Sequence, residues 1–274
     1  MIANVALVLG LLGSASAFTI PNPTPKHALT SNHTLDEVNS EGGMSIQAFG
    51  CSSRPAGLNQ KDCEYMSKIG MAGVGANSKS SSSKIWIGTN GPNKFTFKNS
   101  GSGGPVTLIL WDFPPGDYEA SFMNVRAPKI SYSLPKPGDS VTVSIANGVS
   151  GAFAHLANHK TKLSQWGQIY NTWGEFTTGQ WATVDVSRLV NTKGNGIAMK
   201  IENNGCKSHF TKCYFTCKDG GVSSCGESGT YKLVNCAPGS QPGATYGTLN
   251  GNPEGGCQGF PNGGKVTIDL KAQA

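Results

Sequence analysis

The sequence is poor in charge and poor in helical pattern. Only 14% of its 274 residues are Asp, Glu, Lys or Arg. No long segment repeats its apolar residues with a period near 3.6, which excludes a helical bundle or coiled coil as the main architecture. No cysteine stands between Cys63 and Cys206, so half the chain must fold on an apolar core of its own. There is no cluster of Lys and Arg interleaved with aromatics. The net charge of +6 then reads as dispersed surface charge, and no nucleic-acid partner is expected. Beyond the first residues no apolar stretch approaches the roughly 20 residues of a bilayer span, so no integral membrane segment is expected either.

What is present begins with a short apolar run, Ile2 to Leu12, ending in Ala15-Ser16-Ala17. That is the small-x-small pattern of a signal peptide, expected over 1–17 with cleavage after Ala17, although no Lys or Arg precedes the run. The expected location is secreted and extracellular. Eight cysteines in an oxidising compartment imply four disulfides. Asn32-His33-Thr34 is a glycosylation acceptor at Asn32. It lies in a proline-containing segment, 18–49, expected to be a mobile leader.

A small module follows over 50–83. Asn59 is placed to cap a short helix with Asp62 at its third position and Cys63, Met66 and Ile69 on one face, and Cys51 is close enough to pair with Cys63. The serine-rich stretch Asn77 to Lys84 reads as a linker. From 84 to 205 the pattern is dense in short strands: Lys84 to Thr89, Lys94 to Lys98, Val106 to Asp112, Tyr118 to Met123, Lys129 to Leu134 and Ser140 to Ala146. Turns such as Pro135-Lys136-Pro137-Gly138-Asp139 separate them. Such spacing predicts an all-β sandwich of two packed sheets. Cys206, Cys213, Cys217, Cys225, Cys236 and Cys257 then crowd into a disulfide-rich, loop-rich region, 206–264, whose pairing is one of 15. Lys265 to Leu270 is a closing strand within 265–274.

The chemistry-bearing stretch is Tyr170 to Met199. It sets two isolated carboxylates, Glu175 and Asp185, among Trp173, Phe176 and Trp181. Ala182 to Val186 alternates as a half-buried strand, and Gly196 to Ile201 reads as a second strand returning beside it. Glu175 and Asp185 then face one groove. Paired carboxylates are what glycoside hydrolysis requires, and indoles offer flat surfaces to sugars. Equally, a strand-end carboxylate holds loops through backbone hydrogen bonds, and indoles fill cores. The candidate catalytic residues are Glu175 and Asp185. The candidate ligand-binding residues are Trp173, Trp181, Tyr170, Asp112 and Asn191. Cys206, His209, Cys213 and Cys217 have metal-ligand types, but disulfides take precedence in an oxidising compartment, so neither metal nor cofactor is expected. His155 and His159 read as a surface pair.

NTWGEF, ATVDVSRL and GNGIAMKI together resemble the thaumatin-like pattern. More closely, KFTFKNSGSGGPVTLILWDF, LPKPGDSVTVSI, SGAFA, TWGEF, VDVS and AMKI look like the fungal secreted allergen family typified by the fourth Aspergillus fumigatus allergen. The resemblance covers about Ile85 to Ile201. It implies a thaumatin-like β-sandwich, extracellular, with roles in host interaction, immune recognition or the cell wall. In the thaumatin-like acidic cleft of one arginine, one glutamate and three aspartates, Glu175 matches the glutamate and Asp185 the first aspartate. Val190, beside Asn191, stands where the second aspartate belongs, and SGAFAHL lacks the arginine. The expectation is a monomeric, non-catalytic effector, elicitor or allergen that binds cell-wall β-glucan or a host protein. A β-1,3-glucan hydrolase using Glu175 and Asp185, and a membrane-active antifungal protein, are the alternatives.

Overall fold

The computed structural model describes residues 49–113, apart from 72 and 76, and residues 128–272. The expected signal peptide, most of the leader, Asn32 and the expected strand Tyr118 to Met123 lie outside them.

Among the described residues one helix, α1 (Gln60–Lys68), precedes β1 (Ile85–Ile87), β2 (Asn93–Asn99), β3 (Val106–Asp112), β4 (Ile130–Leu134), β5 (Ser140–Ile145) and β6 (Ser150–Ala157). There follow β7 (Lys162–Leu163), β8 (Ile169–Tyr170), β9 (Trp173–Thr177), β10 (Thr183–Ser187), β11 (Ile197–Ile201) and β12 (Lys207–Ser208). The chain closes with β13 (Tyr214–Cys217), β14 (Tyr231–Val234), β15 (Ala244–Leu249), β16 (Asn252–Gln258) and β17 (Gly264–Leu270). A six-stranded sheet has the order β1-β5-β2-β17-β11-β12. A nine-stranded sheet runs β14-β13-β10-β9-β6-β3-β4, with β16 also paired to β10 and β15 to β16. The closing strand is central to its sheet, since β17 lies between β2 and β11.

Strand alternation supplies the sandwich. In β2, Phe95 and Phe97 are fully buried while their neighbours are not. They meet Phe176 and Phe153 of the other sheet edge-on, at centroid distances of 5.4 Å and 4.8 Å. β3 and β6 do not alternate because both of their faces are covered. Leu108 and Leu110 point into the sandwich, whereas Ile109, Trp111, Ala152 and Ala154 belong to a second apolar cluster outside it with Met66, Ile69 and Met71 of the α1 segment. The molecule is therefore helix on sheet on sheet. α1 is capped by Asn59, whose side chain accepts from the Asp62 N–H at 2.9 Å, and Cys51–Cys63 closes the preceding loop. The serine-rich stretch is tied down: Ser131 N–H donates to Asn77 Oδ1 at 3.0 Å and Ile87 N–H to the Ser78 carbonyl at 2.7 Å.

Two expectations are corrected. β11 does not return beside β10. It crosses to the six-stranded sheet and pairs with β17 and β12, while β9 pairs with β10. An apolar alternation fits either sheet, and only the partner strands decide. His155 and His159 are no surface pair. His155 is fully buried in β6, and His159 bonds Asp62 of α1 through Nδ1 at 2.5 Å. The cysteine-rich region also contains β12 to β16, so it is more regular than its composition suggests. Its bridges are Cys206–Cys257, Cys213–Cys236 and Cys217–Cys225. The first joins the β11–β12 connection to β16, linking the two sheets.

Candidate functional site

β9 and β10 set the carboxylate pair. Gly174 and Phe176 face the sandwich, so Trp173 and Glu175 face outward. Likewise Val184 and Val186 face inward and Asp185 outward. Antiparallel register puts Asp185 directly opposite Glu175, with Ala152 of β6 on the other flank of Glu175. The far edge of β10 is forked. Thr183 and Val184 pair with β16, Val186 and Ser187 pair with β13, and Asp185 sits where the two part. Gly256 makes this possible. Its φ is +147°, and a Cβ there would stand 2.7 Å from the Val184 carbonyl and 3.2 Å from Asp185 Cβ.

Both carboxyls are buried, Glu175 at 3% and Asp185 at 0% exposure. Burial pushes the Glu175 carboxyl up to about 8, and the hydrogen bond with Asp185 pulls the other way. Burial first, then the charge and hydrogen bond of Glu175, hold Asp185 well above the usual carboxylate range. Neither oxygen of Asp185, nor Glu175 Oε2, lies in ordinary hydrogen-bond geometry with any partner among the described residues, so the contact between the two carboxyls is a loose one. Both carboxyls therefore stay protonated at neutral pH, because a dry site disfavours each charge and two like charges side by side still more. Tyr231, on β14 beyond the fork, is pushed up to about 12 by burial and by the charge of Glu175. A carboxyl that keeps its proton near neutrality is suited to a general-acid role, but such a role needs a substrate within hydrogen-bond reach.

The other predicted residues are dispersed. Trp173 is buried, with its ring 5.0 Å from that of Trp111 and its Nε1–H donated to the Ile169 carbonyl at 2.9 Å, so it offers no face to a sugar. Trp181 is 38% exposed on the β9–β10 turn. Asp112 ends β3 and lies 3.7 Å from Lys129 Nζ. Asn191 shapes a turn, accepting from the Lys193 N–H at 2.9 Å and donating to the Tyr170 carbonyl at 3.2 Å. Tyr170 is half-buried at the wall of a cavity of about 790 Å³.

That cavity lies between the β7–β8 hairpin and the loop closed by Cys217–Cys225, and Glu175 and Asp185 do not line it. Trp166, Gln168, Tyr170, Val190 and Lys218 are among its walls. The hairpin turn is held by Ser164, whose Oγ accepts from the N–H groups of Trp166 and Gln168, both at 3.2 Å. Gln168 Nε2 is buried with no partner among the described residues. Sequence reasoning passed over Trp166 and Gln168. The legible signal was an indole at a Gly-containing turn, Trp166-Gly167, between two short apolar segments.

No curated protein matches the chain. A family model does, that of the Allergen Asp f 4-like domain, over residues 92–225. The match takes in the strands from β2 to β13, the carboxylate pair, the hairpin wall of the cavity and the Cys217–Cys225 loop opposite it, but neither α1 nor the strands after β13. Over residues 92–225 the chain is thus similar to the Allergen Asp f 4-like domain.

Proposed function

We propose that this is a secreted protein that acts outside the cell by binding a polysaccharide of the cell wall or of a host in the cleft between the β7–β8 hairpin and the Cys217–Cys225 loop, without cutting it. The cleft carries this reading. It is large enough for two or more sugar units, has an indole and a phenol in its wall and a buried unpartnered amide beside them, and is bounded by a turn and a disulfide loop. Carbohydrate sites combine such stacking surfaces with a few fixed polar groups. Four disulfides fit an oxidising compartment.

One observation favours a second reading, hydrolysis of β-1,3-glucan: Glu175 and Asp185 face each other, and burial keeps the Glu175 carboxyl protonated near neutrality as a general acid must be. Their burial weighs against it, since a glycosidic oxygen must reach the acid.

The test is a pull-down of the purified protein on insoluble β-1,3-glucan, chitin and cellulose, with released reducing sugar assayed in the same tubes. Retention without sugar release, weakened about tenfold or more by Trp166→Ala, is the expected result. Sugar release abolished by Glu175→Gln supports the hydrolase instead, and retention on none of the three overturns both.

A further inference from the structure

A second cavity of about 240 Å³ adjoins the first, and Lys162 and Tyr170 line both. Its character differs. Lys160, Lys162 and Lys193 line it together with four asparagines, and no carboxylate does. Among the described residues none of these lysines is in an ion pair. The larger cavity is balanced in charge, with Lys162 and Lys218 against Asp219 and Glu227.

The lysine recess has firm walls. Lys160 follows Asn158 and His159, both at positive φ, in a turn anchored by His159 to Asp62 of α1 and by the Thr161 hydroxyl, which accepts from the Ala157 N–H at 2.9 Å. Lys193 lies in the turn shaped by Asn191, and the next residues are held by Asn171, whose Oδ1 accepts from the Asn195 N–H at 2.6 Å. Lys162 is cross-strand to Tyr170 in the β7–β8 hairpin. Three exposed lysines are thus carried on fixed backbone around one polar hollow with no carboxylate in its lining, which leaves positive charge there for an anion to meet.

Resting on the reading of the cleft as a glycan site, we infer that its ligand is an anionic glycan. One carboxylate- or sulfate-bearing sugar occupies the Lys160/Lys162/Lys193 recess, and the chain passes Tyr170 to stack on Trp166 in the larger cavity. Charge complementarity sets the preference, and the indole supplies affinity that any pyranose shares.

The experiment is affinity electrophoresis and calorimetry of the full protein with three soluble glycans: polygalacturonate, heparin and neutral laminarin. At least one anionic glycan should bind tenfold or more tighter than laminarin at about 0.15 M salt. Polygalacturonate or heparin as the tighter of the two identifies the carboxylate or the sulfate as the group recognised. Lys160→Gln/Lys193→Gln should remove that tenfold preference and leave laminarin binding unchanged. Lys98→Gln/Lys136→Gln, which removes the same charge from β2 and the β4–β5 turn, should retain it. Laminarin binding equal to that of both anionic glycans, or an equal loss in the two lysine variants, overturns the inference while leaving the cleft a glycan site. Binding of none of the three overturns both.

Discussion

Glu175 and Asp185 stand directly opposite each other on β9 and β10, on a face of the nine-stranded sheet where neither is more than 3% exposed. Each holds its proton more tightly in the folded protein than in the unfolded chain, where ordinary values of 4.5 and 3.8 apply. Between those values and about 8 the pair therefore binds more protons in the folded state, so its contribution to stability is fullest at acidic pH and falls as pH rises through neutrality. Below its ordinary value of 6.5 the buried His155, lowered to about 3, opposes this slope, so the melting temperature should drop between about pH 6.5 and pH 8, corresponding to a loss on the order of 1–3 kcal/mol. Glu175→Gln/Asp185→Asn should flatten that slope in a thermal-unfolding series. An unchanged slope would place the responsible groups elsewhere.

A reciprocal pair of glycines explains how β6 and β9 approach. Gly151 is opposite Phe176 and Gly174 opposite Phe153 in register. A Cβ on Gly174 would fall 2.0 Å from the Phe153 ring, which is itself packed against Phe97. Gly174→Ala should cost about 1–3 kcal/mol in urea unfolding, the usual range for overpacking a filled core. Adding Phe153→Leu to make room should recover part of the loss.

The two tryptophans of the carboxylate stretch should behave oppositely. Trp173→Ala removes a buried ring and should cost about 3–5 kcal/mol, whereas Trp181→Ala, at an exposed turn, should stay within about 0.5 kcal/mol of the parent. Chemical denaturation of both variants checks this, and Trp181→Ala should leave glucan retention unchanged because Trp181 does not line the cleft.

Reduction of the α1 module offers a separate test. Cys51→Ser/Cys63→Ser opens a loop of separation 12, worth about 2–3 kcal/mol in the chain-entropy model. α1 supplies Met66 to the cluster that covers Trp111 and Trp173. The variant should therefore bind a hydrophobic dye more strongly and be cleaved by protease between residues 51 and 80 before the sandwich opens.

Local chemistry made much of the fold legible before any coordinates. The cap at Asn59, the alternation in β2, the turn at Pro135 to Asp139 and the closing strand are decided by neighbours in sequence, because dihedral preference and apolar period act over a few residues. The unbroken run VTLILWD of β3 even carried the mark of a strand buried on both faces, though not what covered its second face. The family resemblance over Ile85 to Ile201 rested on the same short motifs, and the family match spans 92–225.

Only the tertiary structure decided the rest. That β11 leaves β10 for the opposite sheet, that six cysteines take one pairing of fifteen, and that α1 covers Trp173 all depend on which surfaces meet. So does the site. The sequence by itself determined that Glu175 and Asp185 are placed among apolar neighbours. Whether they open to a groove or keep their protons in the dry was set by strands β13 to β16, which arrive from thirty to seventy residues away. The cleft joins the β7–β8 hairpin to a loop about fifty residues on. No local pattern encodes such a meeting, because it is long-range packing that brings those walls together.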